Sequence, residues 1–187
     1  MALEKFKYMT LKEFYHMREI SNELMEFIDG TVYMSPSPST KHQRISGRLY
    51  VELFNYLEGK GCEVFDAPFD IVLHKEDIEE DKIVIPDLSV IGDKSGLNEQ
   101  NYKGVPTLIV EILSPSNQSH DLVLKLNLYM QYGVKEYWIV NPMLDSIQVY
   151  SLDENGGYIQ KDNKVSKGVI NSKVLEGFKV DVEKIFG

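Results

Sequence analysis

Pro106-Thr107-Leu108-Ile109-Val110-Glu111-Ile112-Leu113 is apolar almost throughout, as a strand covered on both faces would be. Ser114-Pro115-Ser116-Asn117 stops it. A helix is predicted from about Ser119 to Tyr132, with Leu122, Leu126, Tyr129 and Met130 on one face and Gly133 as its C-terminal cap. Tyr137-Trp138-Ile139-Val140 is the next strand, ended by Asn141-Pro142. Upstream, two strands are predicted, Glu63 to Leu73 with a break near Pro68, and Ile83 to Ile91. The acidic run Glu76, Asp77, Glu79, Glu80, Asp81 joins them as a solvated loop, and a polar, Gly-containing segment from Gly92 to Gly104 leads back to the central strand.

Further toward the N-terminus, Ile45, Leu49, Leu53, Tyr56 and Leu57 mark the buried stripe of a longer helix. It should start near Thr40, which has Gln43 at capping-box spacing, and end at Gly59 and Gly61. Before it, Leu24-Met25-Glu26-Phe27-Ile28 and Thr31-Val32-Tyr33-Met34 flank Asp29-Gly30, a hairpin signal because both turn positions favour positive φ. Ser35-Pro36-Ser37-Pro38-Ser39 reads as a loop. Thr10-Leu11-Lys12-Glu13 has capping-box spacing and opens a short helix carrying Leu11, Phe14, Tyr15 and Ile20. Ser146 to Leu152 and Gly157 to Lys161 form a β-rich end. The order is an N-terminal hairpin, then helix, three strands, helix and strand, then more strands: an α/β protein built on a mixed sheet.

Composition narrows the function. The 187 residues fit one domain, with 43% apolar and 26% charged residues, a globular balance. No stretch approaches the roughly 20 apolar residues needed to span a bilayer. Residues Met1 to Lys7 lack the apolar core of a signal peptide. One cysteine, Cys62, excludes an intrachain disulfide and a cysteine metal cluster, and suits a reducing cytosol. The net charge of −9 argues against a protein that coats nucleic acid, because lysines and arginines supply that affinity. It does not exclude an enzyme with a few cations in one cleft. Ser114 and Ser116 sit in no nucleophile elbow, and no Gly-rich phosphate loop occurs.

Two acids stand out. Asp87 lies in Ile85-Pro86-Asp87-Leu88-Ser89-Val90, and Glu111 interrupts the central apolar strand. A carboxylate buried there is costly unless paired, hydrogen-bonded or bound to a cation. Two carboxylates from adjacent strands repel unless a cation lies between them. Mg²⁺ suits such a pair, because it takes one or two carboxylates and keeps waters for a substrate phosphate. Lys125, three residues after Leu122, borders the buried face of the following helix and could stabilise developing negative charge. Lys103 and Lys135 are the other candidates for that role. His16, His74 and His120 show no ligand spacing.

Met25 to Gly30, Lys41-His42-Gln43, Pro86 to Val90, Val110 to Ser116, and Asp121 to Tyr129 followed by Gly133 to Trp138 together resemble the Uma-type restriction-endonuclease family of the PD-(D/E)XK nuclease superfamily. The resemblance spans roughly Glu26 to Pro142 and implies a restriction-endonuclease-like fold with its core about residues 24–142. It implies Asp87 and Glu111 as ligands of Mg²⁺ or Mn²⁺, and DNA as substrate. The superfamily's lysine two residues after the Glu is replaced here by Leu113, and the Uma-type pattern moves it to the next helix, at Lys125. His42 falls near the cleft, where it could contact a water or a phosphate. Glu26 becomes a third acid or a partner that orients Lys125 or His42. Asn141 takes the place of an Asp and reads as turn chemistry. Cutting both strands of a duplex calls for two sites, so a homodimer is expected, with exposed edge strands and Ile185-Phe186 at the interface. A non-catalytic DNA-binding or regulatory protein on the same scaffold is the alternative.

Overall fold

The computed structural model describes residues 8–21, 23–34, 37–114 and 120–187. The predicted helix start at Ser119 and the segment Met1 to Lys7 lie outside them, as do parts of the loops at Ser35-Pro36 and after Ser114. The elements are α1 (Leu11–Glu19), β1 (Met25–Ile28), β2 (Thr31–Met34), α2 (Thr40–Leu57), β3 (Glu63–Asp66), β4 (Asp70–Leu73), β5 (Lys82–Val84), β6 (Leu88–Ile91), β7 (Asn101–Gly104), β8 (Leu108–Ile112), α3 (His120–Tyr132), β9 (Glu136–Asn141), β10 (Ser146–Leu152), β11 (Tyr158–Val165), β12 (Val169–Asn171), β13 (Lys179–Asp181) and α4 (Val182–Phe186).

They build two mixed sheets, ordered β2-β1-β5-β4-β7 and β11-β10-β9-β8-β6-β3, with β12 and β13 as a separate pair. In the second sheet β8 runs parallel to β9 and antiparallel to β6. Every residue of β8 is buried, as its unbroken apolar sequence requires. Pleating sends alternate residues to opposite faces. Leu108, Val110 and Ile112 pack on Ile45, Leu49 and Leu53 of α2, whereas Ile109 packs with Leu128, Tyr129 and Tyr132 of α3. Glu111 shares the parity of Ile109, so its carboxylate points to the α3 side. Each fully buried aliphatic side chain of α2 contributes about 1.5–3 kcal/mol.

The hairpin forms as its sequence requires: Asp29 and Gly30 both take positive φ, 50° and 73°. Thr10 makes the capping box with Glu13. Phe14 packs against Phe27 with ring centroids 5.1 Å apart, whereas Tyr15 and Ile20 are exposed. Gly133, with φ 89°, closes α3, where Gly133 and Val134 N–H groups reach the Tyr129 carbonyl.

Several expectations need correction. The cap of α2 is Ser39, whose hydroxyl accepts from His42 N–H, and Thr40 is the first helical residue. The segment Ile83 to Ile91 is not one strand. β5 and β6 belong to different sheets, and Ile85-Pro86-Asp87 is the corner between them. Glu63 to Leu73 divides in the same way, at the cis peptide before Pro68. The segment before Gly104 supplies an edge strand, β7, parallel to β4. On α3 the buried stripe is Lys125, Leu128, Tyr129 and Tyr132, so Lys125 lies within that face and not at its border. Ile185 is buried in the core under α2, which removes it from any exposed interface.

Candidate active site

Each end of the site is fixed by a different element. Glu26 stands on β1 between buried Met25 and Phe27 and is itself buried. Its Oε1 accepts from the Ile85 N–H at 2.8 Å and from Lys125 Nζ at 3.0 Å. One carboxylate thus ties the hairpin, the β5–β6 corner and α3 together. Lys125 Nζ also donates to Glu111 Oε1 at 2.9 Å, and the Tyr129 hydroxyl donates to the same oxygen at 2.6 Å. Lys125 and Tyr129 are four residues apart, one above the other on a helical face.

Asp87 sits at the corner just before β6. The β6–β8 register, Leu88 opposite Val110, brings it beside Glu111. Its Oδ2 accepts from the Ile112 N–H at 2.7 Å, and its Oδ1 lies 3.2 Å from His42 Nε2. His42 comes from the first turn of α2. Its Nδ1 is buried and has no hydrogen-bond partner among the described residues. All five residues expected from the sequence therefore line one cleft of about 390 Å³.

Burial dominates the electrostatics. It pushes the Glu111 carboxyl up to about 7, opposed by the Lys125 ammonium and reinforced by Asp87 and Glu26. Burial pulls Lys125 down, but Glu111 and Glu26 more than reverse that, and its pKa stands above the ordinary lysine value. Lys125 is therefore an ammonium at any physiological pH. Burial also lowers His42, but the hydrogen bond to Asp87 outweighs it, and the imidazole is easier to protonate than usual. Burial raises Tyr129 well above its ordinary value, so its hydroxyl stays protonated and donates.

No three His, Cys, Asp or Glu side chains converge as a metal cage among the described residues. Two carboxylates and open space suit Mg²⁺ nonetheless, since that ion prefers to keep waters. Both donors to Glu111 fall on Oε1. Glu111 Oε2 is left, and Asp87 Oδ1, which also meets His42, is the second hard oxygen a cation could take. The donor set fits.

Tyr129 was not singled out by the sequence as a site residue. It read as an apolar face residue, and its spacing of four from Lys125 was the only available signal. Lys103 is drawn off to Asp81 at 2.9 Å, and Lys135 is exposed beyond the end of α3. Asn141 does turn chemistry, its Oδ1 accepting from Met143 and Leu144 N–H groups. The acidic run is an exposed loop, as expected, in which His74 and Lys103 hold Asp81 and Lys82 reaches Glu80 and Asp29.

Two mixed sheets flanked by helices, with acids from the strands meeting a lysine from a helix, define a restriction-endonuclease-like α/β protein. The chain belongs to the Uma2 family, described as "Putative restriction endonuclease", whose model matches residues 11–183. It is similar to the uncharacterized protein slr1290 of Synechocystis, with 26% identity over 178 residues, covering 95% of this chain and 92% of that protein. Its fold is similar to the crystal structure of "a putative nuclease belonging to DUF820" from Anabaena variabilis. That match has a TM-score of 0.73 at 17% identity and covers 95% of this chain and 97% of the other. Among the described residues, no helix is long and apolar enough to cross a membrane.

Proposed function

We propose that this chain is a Mg²⁺- or Mn²⁺-dependent DNA endonuclease, one domain acting in the cytosol, with Asp87 and Glu111 as the metal ligands. The observation that carries this reading is the buried ammonium of Lys125 held between Glu26 and Glu111, 3.0 and 2.9 Å away, in the cleft that also contains Asp87. It supplies from α3 the cation that Leu113, just after β8, cannot supply. A divalent ion bound there would polarise a phosphoryl oxygen and lower the pKa of a water.

The chain's own groups divide the remaining work. Lys125 cannot be a general base, because its ammonium keeps its proton. It faces the charge that grows on the phosphoryl oxygens and aligns the attacking water. Glu26 orients Lys125, and Tyr129 holds Glu111 through the same Oε1 that Lys125 contacts. His42 steadies Asp87 through Nε2, and its Nδ1 is buried away from the cleft surface. The water oxygen bonds to phosphorus, the bond to one sugar oxygen breaks, and that oxygen takes up a proton.

Closed two-fold assemblies are the commonest soluble oligomers, so we also propose a homodimer. The edge strand β11, with Ile159 and Val165 exposed, supports it in place of the buried Ile185. Light scattering at micromolar concentration should give twice the chain mass, and a monomer would remove this part of the proposal. The function itself is tested by incubating the purified protein with plasmid, linear and single-stranded DNA in Mg²⁺, Mn²⁺ or chelator. Metal-dependent cleavage is expected. Intact DNA under all conditions would favour a non-catalytic scaffold.

A further inference from the structure

We infer that the cleft takes unpaired nucleotides of a DNA strand, at a bubble, flap or frayed end, and not a continuous duplex; this rests on the nuclease reading above. The charge inventory of the cleft is the first argument. Among the described residues its only basic side chains are Lys125 and His42, against the acids Glu26, Asp66, Asp87 and Glu111. Both basic groups are already engaged by those acids. The sequence has no Lys or Arg from 19 to 40 or from 104 to 124, and Arg44, between Gln43 and Ser46 on α2, does not line the cleft. Lys41 begins the next segment, but its ammonium is taken by Asp145 at 2.8 Å and by the Pro142 carbonyl.

A duplex presents one phosphate charge per about 1.7 Å of axis, and proteins hold it by displacing counterions with cations. These walls cannot do so. What they offer instead is apolar surface beside neutral hydrogen-bonding groups: Leu24, Tyr33, Met34 and Pro38 on one side, with Gln43 and Ser46 on the first turns of α2. Leu24 and Met34 are 41% and 61% exposed, a loss in water that a base laid against them would reverse. Unpaired bases have free π-faces and free edges, and those faces carry sequence-tolerant affinity in single-strand sites. In a paired duplex the same faces are stacked and unavailable. The apolar wall and the missing cations thus select the same substrate form.

The test compares three labelled DNAs of one sequence: blunt duplex, the same duplex with a central unpaired bubble, and the single strand. Equilibrium binding is read by fluorescence anisotropy in Ca²⁺, another hard, oxygen-seeking cation. Cleavage is followed separately in Mg²⁺ and Mn²⁺. Bubble and single strand should bind about tenfold or more tighter than blunt duplex, the scale of one base stack. Cleavage should fall at the bubble. The Leu24→Ser/Met34→Ser variant, changed only at exposed positions, should lose most of that preference while its melting temperature holds. Equal or tighter binding of blunt duplex would overturn the inference, as would an unchanged preference in the double variant. Preferential binding without cleavage in either metal would support this inference and overturn the endonuclease reading instead, so the two fail separately.

Discussion

This chain places acidic residues in two very different settings. Around Glu26 and Glu111 they are buried, with a single ammonium as counter-charge and one phenol hydroxyl as a further donor. Between His74 and Lys82 they lie at the surface, and several cations share the load, with Asp77 still 69% exposed at its side chain. The surface set stabilises the fold little, because water screens each pair and would replace it readily. The buried set costs desolvation energy that well-packed apolar residues would avoid. Replacing Glu26, Glu111 and Lys125 together by packed apolar side chains would leave the fold at least as stable. The charge is explained by what it can bind.

The largest expected effect comes from Lys125→Met. It leaves Glu26 and Glu111 facing each other with no cation, and breaking a buried pair in this way costs roughly 3–5 kcal/mol. The position is thus far more sensitive than a helix-edge lysine, whose loss costs about 1 kcal/mol or less. Urea unfolding should show that loss, and cleavage should drop on the order of a hundredfold or more. Wild-type stability in the variant would mean that the surface and buried sets do not differ as described.

Glu111 carries a distinct pH signature. Its carboxyl is raised from an ordinary 4.5 to about 7 by burial. The folded state then holds the proton more tightly than the unfolded state, so this contribution is fully present below about pH 4.5 and is lost as pH rises through 7. Metal-free protein should therefore lose stability across that window, and Glu111→Gln should flatten the slope. An identical slope in the variant would assign the titration to another group.

Tyr129→Phe removes one donor and leaves the ring. Losing such an outer partner typically weakens metal affinity by about 10–100-fold. Titrating Mn²⁺ into the variant by calorimetry should show that weakening with the fold intact, and an unchanged affinity would reduce Tyr129 to packing. The smallest effect belongs to the surface set. Burial alone would raise Asp81, but hydrogen bonds from His74 and Lys103 hold its carboxyl below the ordinary value. Its contribution is present above the unfolded pKa and lost as pH falls through the folded one. Asp81→Asn should shift the melting temperature slightly at neutral pH and not at all in strong acid.

The same contrast explains what the sequence made legible. Local signals were sound: Asp29-Gly30 turned the hairpin, the i, i+3, i+4 stripe of α2 marked its buried face, and the apolar run at β8 marked the middle of a sheet. Carboxylates in apolar surroundings also announced themselves at Asp87 and Glu111. Sheet membership was hidden, because nothing in Ile83 to Ile91 but Pro86 marks a corner, and pairing partners are set by residues far away in sequence. Spacing from Leu122 puts Lys125 only at the border of the buried face, whereas Glu26, 99 residues away, holds it inside. Tyr129 looked apolar because its hydroxyl acquires meaning only once β8 is beside α3.

The central claim is that Asp87 and Glu111 are kept as carboxylates to share a divalent cation. Calorimetric titration of Mn²⁺ into the wild-type protein and into Asp87→Asn addresses it most directly. The account predicts saturable binding to the wild-type protein, with a matching rise in melting temperature by mass action, and loss of both in the variant. Binding of equal affinity in Asp87→Asn, or none in the wild-type protein, would contradict it.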